Sequence, residues 1–64
     1  MKLNTKTREL VKEGTILKDD INTFTVTTVI ELNRGKLITV RTADNRTIYA
    51  MPLTTYYGCE IVLR

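Results

Sequence analysis

Thr23-Phe24-Thr25-Val26-Thr27-Thr28-Val29-Ile30-Glu31-Leu32, followed by Asn33-Arg34-Gly35-Lys36, is the stretch that decides the fold. Phe24, Val26, Ile30 and Leu32 fall at even spacing, with threonines at the intervening positions. Side chains of a strand alternate between its two faces, so this pattern predicts a strand with one apolar and one wet side. Val29 interrupts the wet side. An extra residue near Thr28 is the usual device for such an interruption, so a bend or bulge is expected there. Asn33-Arg34-Gly35 follows at once, and Asn and Gly both tolerate positive φ. A tight hairpin is therefore expected, with Gly35 in the positive-φ position.

Working outward, Leu37 to Arg41 form the return strand. Ala43-Asp44-Asn45-Arg46 supplies a second turn of residues that accept turn geometry. Thr47 to Met51 then complete a three-stranded meander, and Pro52, which has no N–H for a ladder, ends it. Leu53 to Tyr57 look like one helical turn, and Gly58 releases the chain into a last strand, Cys59 to Leu63. Twelve of the 64 residues are threonine, a β-branched residue that suits a half-buried pleated surface, which points the same way. The sequence thus predicts a mainly β domain over 1–64: a helix or arm over 1–13 and a small five-stranded barrel over 14–63. A short helix is preferred at the start, because Leu3, Thr7, Leu10 and Val11 would share a helical face with Gly14 as the cap. The like-charge pairs Lys2–Lys6, Arg8–Lys12 and Glu9–Glu13 stand at i,i+4 and oppose that helix. The expected core is Ile16, Phe24, Val26, Ile30, Leu32, Ile38, Val40 and Ile61.

Composition narrows the chemistry. A chain near 60 residues buries only about 60% of the surface its unfolded form exposes, so its core is marginal. Cys59 is the one cysteine and there is no histidine. An intrachain disulfide is excluded, and the nitrogen and sulfur ligands of a zinc site are missing. No cofactor, metal or catalytic residue is expected, because the usual neutral-pH general base is absent. Cys59 opens an apolar strand and reads as a small buried residue. The longest apolar runs, Ile48-Tyr49-Ala50-Met51 and Ile61-Val62-Leu63, span four and three residues. Such runs are too short for a membrane helix or a signal peptide. A cytoplasmic location is expected from this and from the lone thiol.

Two stretches resemble the Src-homology-3 family. Glu9-Leu10-Val11-Lys12-Glu13-Gly14-Thr15-Ile16-Leu17 is similar to its Glu-Leu…Gly-Asp-Ile-Leu segment. Ala50-Met51-Pro52-Leu53-Thr54-Thr55-Tyr56-Tyr57 is similar to its Gly-X-Ile-Pro-Ser-Asn-Tyr segment, with one residue more. The resemblance implies a five-stranded barrel that recognises proteins, with Tyr56 or Tyr57 in place of a groove tyrosine. The family's Ala-Leu-Tyr-Asp-Tyr strand and groove tryptophan are absent, and of its acidic loop only Asp19-Asp20 remains. The Sm-like RNA-binding rings, which also place a helix before five strands, offer a second likeness without their glycine pattern.

Two partner classes follow. One is a protein, met through barrel loops, an outward Tyr57 and a sheet edge. A short chain without linkers suits an adaptor or inhibitor of the kind carried by bacteriophages and mobile elements. The other is nucleic acid, gripped by Arg34, Lys36, Arg41 and Arg46 at and between the hairpin tips, with Tyr49 the nearest aromatic. Ten basic residues against seven acidic ones, a net charge of +3, permit nucleic-acid binding without demanding it. The protein is the first expectation. An unpaired edge along the Thr-rich strand 23–28 would also template a homodimer.

Overall fold

The computed structural model describes residues 1–62. Its elements are β1 (Ile16–Lys18), β2 (Thr23–Leu32), β3 (Gly35–Thr42), β4 (Thr47–Pro52) and β5 (Glu60–Val62). Single 3₁₀ turns occupy Arg8–Leu10 and Leu53–Tyr56. The strands form one antiparallel sheet in the order β4-β3-β2-β1-β5. The protein is mainly β, as the sequence predicts, but the sheet is open: no ladder joins β4 to β5 among the described residues. Leu63, the expected last residue of the final strand, lies outside the described residues.

The bulge in β2 sets the core. Val26 pairs with Val40 and Thr28 with Thr39, so Thr27 has no partner of its own in β3. One extra residue reverses which face every later side chain occupies. Before the bulge, Phe24 and Val26 face inward and are buried. After it, Val29 pairs with the fully buried Ile38 and packs against the core. Ile30 and Leu32 therefore turn outward and are 43% and 54% exposed. The expectation that both belong to the core is corrected: simple alternation was carried across a residue that breaks it. A second irregularity lies between β3 and β4, where Ile38 meets Met51 and Val40 meets Ile48. Ala50 takes a φ of 47° there, and its N–H donates to the Thr39 hydroxyl at 3.1 Å. That arrangement lets both Ile48 and Met51 pack on the core.

The first thirteen residues form an arm, and no α-helix exists in the described chain. Lys2 bridges Glu60 in antiparallel fashion. Leu3 N–H donates to the Cys59 carbonyl and Gly58 N–H to the Leu3 carbonyl, both at 2.8 Å. The side chain of Asn4 accepts the Lys6 N–H at 2.8 Å, and the Thr7 hydroxyl donates to the Lys2 carbonyl at 2.7 Å. These local bonds offer the backbone an alternative to a helix, and the like-charge pairs remove the helix's incentive. Leu3 and Val11 still reach the core, at 0% and 2% exposure, while Leu10 of the expected helical face is exposed.

The core thus joins the arm to the sheet: Leu3, Val11, Leu17, Phe24, Val26, Ile38, Val40, Leu53, Tyr56, Cys59 and Ile61. Ile16, expected among them, is half-buried. Phe24 and Tyr56 meet edge to face, with ring centroids 5.3 Å apart, a geometry aromatic quadrupoles favour. The strand segment 23–26 is flanked by β1 and β3 on its two sides. Those residues are not an edge, but of the Thr-rich strand 23–28 the last threonine, Thr28, lies where β2 pairs with β3 alone. The edge at β4 carries the positive-φ Ala50 and ends in Pro52, features that blunt strand addition.

Candidate functional site

The β2–β3 hairpin and the second 3₁₀ turn line an open concavity of the described chain. Pairing Ile30 with Leu37, and Leu37 with Pro52, lays an apolar row across the outer face of three strands. Leu32 lies beyond that row at the hairpin end, opposite Gly35. From there the surface curves into a groove of about 630 Å³. Leu32, Leu37, Pro52 and Tyr57 give it apolar walls, and Arg8 and Arg34 stand among its charged residues. Gly35 at φ 144° closes the hairpin as the sequence predicts, and it holds the tip beside the 3₁₀ turn.

The adjacent tyrosines divide. Tyr56 is buried against Phe24, and burial raises the pKa of its hydroxyl. Tyr57 is half-buried and lines the groove.

The four basic residues of the hairpins are not brought together. Arg34 and Lys36 stand at one end of β3, and Arg41 and Arg46 at or beyond the other. At about 3.3 Å per residue, the five steps from Lys36 to Arg41 separate the two groups by about 17 Å. Lys36 is mostly covered: its side chain is only 12% exposed, and its ammonium lies 3.5 Å from Glu9 and 3.7 Å from Glu31. Arg46 lies 3.3 Å from Asp44, and Arg41 donates to the Asn45 side chain at 3.4 Å. Arg34 is exposed and has no ion pair among the described residues. Tyr49 is 75% exposed on β4, away from the groove lining.

Sequence reasoning missed Leu32, Leu37, Pro52 and Arg8 as parts of one surface. Leu32 was assigned to the core, and the reversal of faces after Thr27 is what releases it. Only the break at Val29 hints at this in the sequence.

The titrating groups elsewhere have structural causes. Asp19 accepts the Asn22 N–H at 2.6 Å and the Ile21 N–H at 2.8 Å. Those two backbone bonds hold its carboxyl below the usual range. The Thr42 hydroxyl, followed by Arg46, does the same for Asp44. The terminal ammonium of Met1 lies 2.7 Å from Glu60 and lowers that carboxyl as well. Burial pushes the Cys59 thiol up, away from the thiolate that nucleophilic chemistry uses. Among the described residues no group of histidine, cysteine or carboxylate side chains is placed to hold a metal ion. No helix among them is long and apolar enough to cross a membrane.

Comparison of the chain with protein-family models, with curated proteins and with solved structures finds no match.

Proposed function

We propose that this chain is a non-enzymatic module, a small barrel of Src-homology-3-like type, that binds another protein through the groove between the β2–β3 hairpin and the second 3₁₀ turn. It acts as an adaptor or inhibitor of the bacteriophage and mobile-element kind, by occupying a partner's surface. The observation that carries this is the groove itself: an aromatic side chain and three apolar ones left partly or largely in water, with charges around them. Interfaces concentrate their energy in such places, where an aromatic residue loses water against a packed partner. The strand order and the 3₁₀ turn between β4 and β5 are in keeping with the resemblance carried by residues 9–17 and 50–57. The rival, a nucleic-acid surface built from Arg34, Lys36, Arg41 and Arg46, loses support because β3 separates the pairs and Lys36 is already neutralised.

The test is affinity capture from a bacterial lysate, with and without nuclease. The expected partner survives nuclease, is lost with Tyr57→Ala and Leu32→Ser, and is kept by the Arg41→Glu/Arg46→Glu double variant. Leu32 is exposed, so its variant controls for any fold defect caused by replacing Tyr57. A packed tyrosine is expected to contribute about 2 kcal/mol or more. Capture that disappears with nuclease, and in the Arg34→Glu/Arg46→Glu variant, refutes the proposal.

A further inference from the structure

We infer that the segment received by the groove is an extended peptide in which an acidic side chain lies within a few residues of an apolar or aromatic one. This rests on the protein-binding reading above and specifies its ligand. The charges around the groove are unevenly committed. Glu9 and Glu31 both approach the Lys36 ammonium, at 3.5 and 3.7 Å. Arg8 reaches Glu9 only at 3.8 Å. Three cations therefore share two carboxylates along this lining, and Arg34 is the cation that forms no ion pair among the described residues. A guanidinium presents a planar fork of donors that fits a carboxylate with two parallel bonds. A basic ligand would meet Arg34 and Arg8 with no uncommitted carboxylate to receive it, a like-charge contact that costs affinity.

Charge alone would also admit a phosphate backbone. The walls argue for a peptide instead. Leu32, Leu37 and Pro52 offer apolar surface that a sugar-phosphate chain leaves wet, and the lining contains one aromatic ring, Tyr57. Binding of single strands relies on several stacked bases over a tracking basic groove. A short peptide covers the apolar wall with one side chain and reaches Arg34 with another. The groove's 630 Å³ lies in the range that small-ligand pockets occupy, about 300–1,000 Å³, enough for a few residues.

The experiment selects a library of random short peptides on the immobilised full chain, then measures the enriched consensus peptide by fluorescence anisotropy. The expected consensus pairs Asp or Glu with an apolar residue. Its binding should weaken about tenfold in Arg34→Glu and return in Arg34→Lys. Selection on Arg34→Glu should shift the consensus toward Lys or Arg. Arg34 lies in an exposed turn, and a melting curve for each variant establishes that the fold is intact. Enriched peptides that need Tyr57 and Leu32 but carry no acidic residue, or that ignore Arg34→Glu, overturn this inference and leave the groove reading standing. Absence of any peptide dependent on Tyr57 or Leu32 overturns both. Displacement of the consensus peptide by a random single-stranded oligonucleotide of higher affinity, sensitive to Arg34→Glu, overturns it in favour of nucleic acid.

Discussion

Replacing Ile38 and Ile30 separately by alanine tests the reversal in β2 on which the groove depends. Ile38 is 0% exposed and pairs with Val29 and Met51, both packed on the core. Truncation to alanine removes buried carbons worth about 0.8 kcal/mol each, and the cavity left behind adds to this. The expected cost is about 3–4 kcal/mol. Ile30 is 43% exposed on the opposite face, so the same truncation loses only part of the burial and leaves no enclosed cavity. Its expected cost is about 1–1.5 kcal/mol. At roughly 0.05–0.15 kcal/mol per residue, a chain of this length has about 3–10 kcal/mol of stability in all. Ile38→Ala should therefore be nearly unfolded or sharply shifted, while Ile30→Ala should show less than half that shift. Urea denaturation followed by far-ultraviolet circular dichroism reads both, through the midpoint at constant slope. Equal losses for the two variants would refute the bulge at Thr27, and with it the placement of Leu32 on the groove.

Two backbone positions and the acid range give further expectations. Gly35 has a φ of 144° and open space where a Cβ would stand, so Gly35→Val should cost more than about 1 kcal/mol from backbone strain alone. Ala50, at φ 47°, should show the opposite sign: Ala50→Gly is expected to stabilise by about 0.5–1 kcal/mol, the strain relieved less the added chain entropy. Denaturant midpoints measure both, and a neutral Gly35→Val would contradict the hairpin geometry. Asp19, Asp44 and Glu60 all have lowered pKa values in the fold. The unfolded chain then binds protons at higher pH than the folded one, so their contributions are fully present above the ordinary values of 3.8 and 4.5. They are lost as pH falls below those values and through the folded ones. Melting temperatures recorded from neutral pH down through that range should decline, less steeply in Glu60→Gln; a flat profile would contradict the hydrogen bonds assigned to these carboxyls.

Much of the fold was legible in the residues themselves, because local rules decide it. The alternation of Phe24 and Val26 with threonines, the Asn33-Arg34-Gly35 hairpin, the Asp44-Asn45 turn and the stop at Pro52 all act within a few bonds. They placed the meander and the mainly β class. The division of Tyr56 from Tyr57 was also visible in kind, since adjacent side chains near a strand end seldom share one environment. What the sequence could not decide was anything that depends on contact between distant segments. Leu3 enters the core because the start of the arm pairs with residues 58–61 at the far end of the chain, a pairing no local pattern announces. Lys36 loses its availability to Glu9 and Glu31, one of them supplied by that same arm. The bulge expected near Thr28 is present at Thr27, but that it sends Ile30 and Leu32 outward emerges only from the register against β3. Strand spacing then carries Arg41 and Arg46 away from Arg34. The candidate groove exists because packing, not propensity, chose which apolar residues to leave in water.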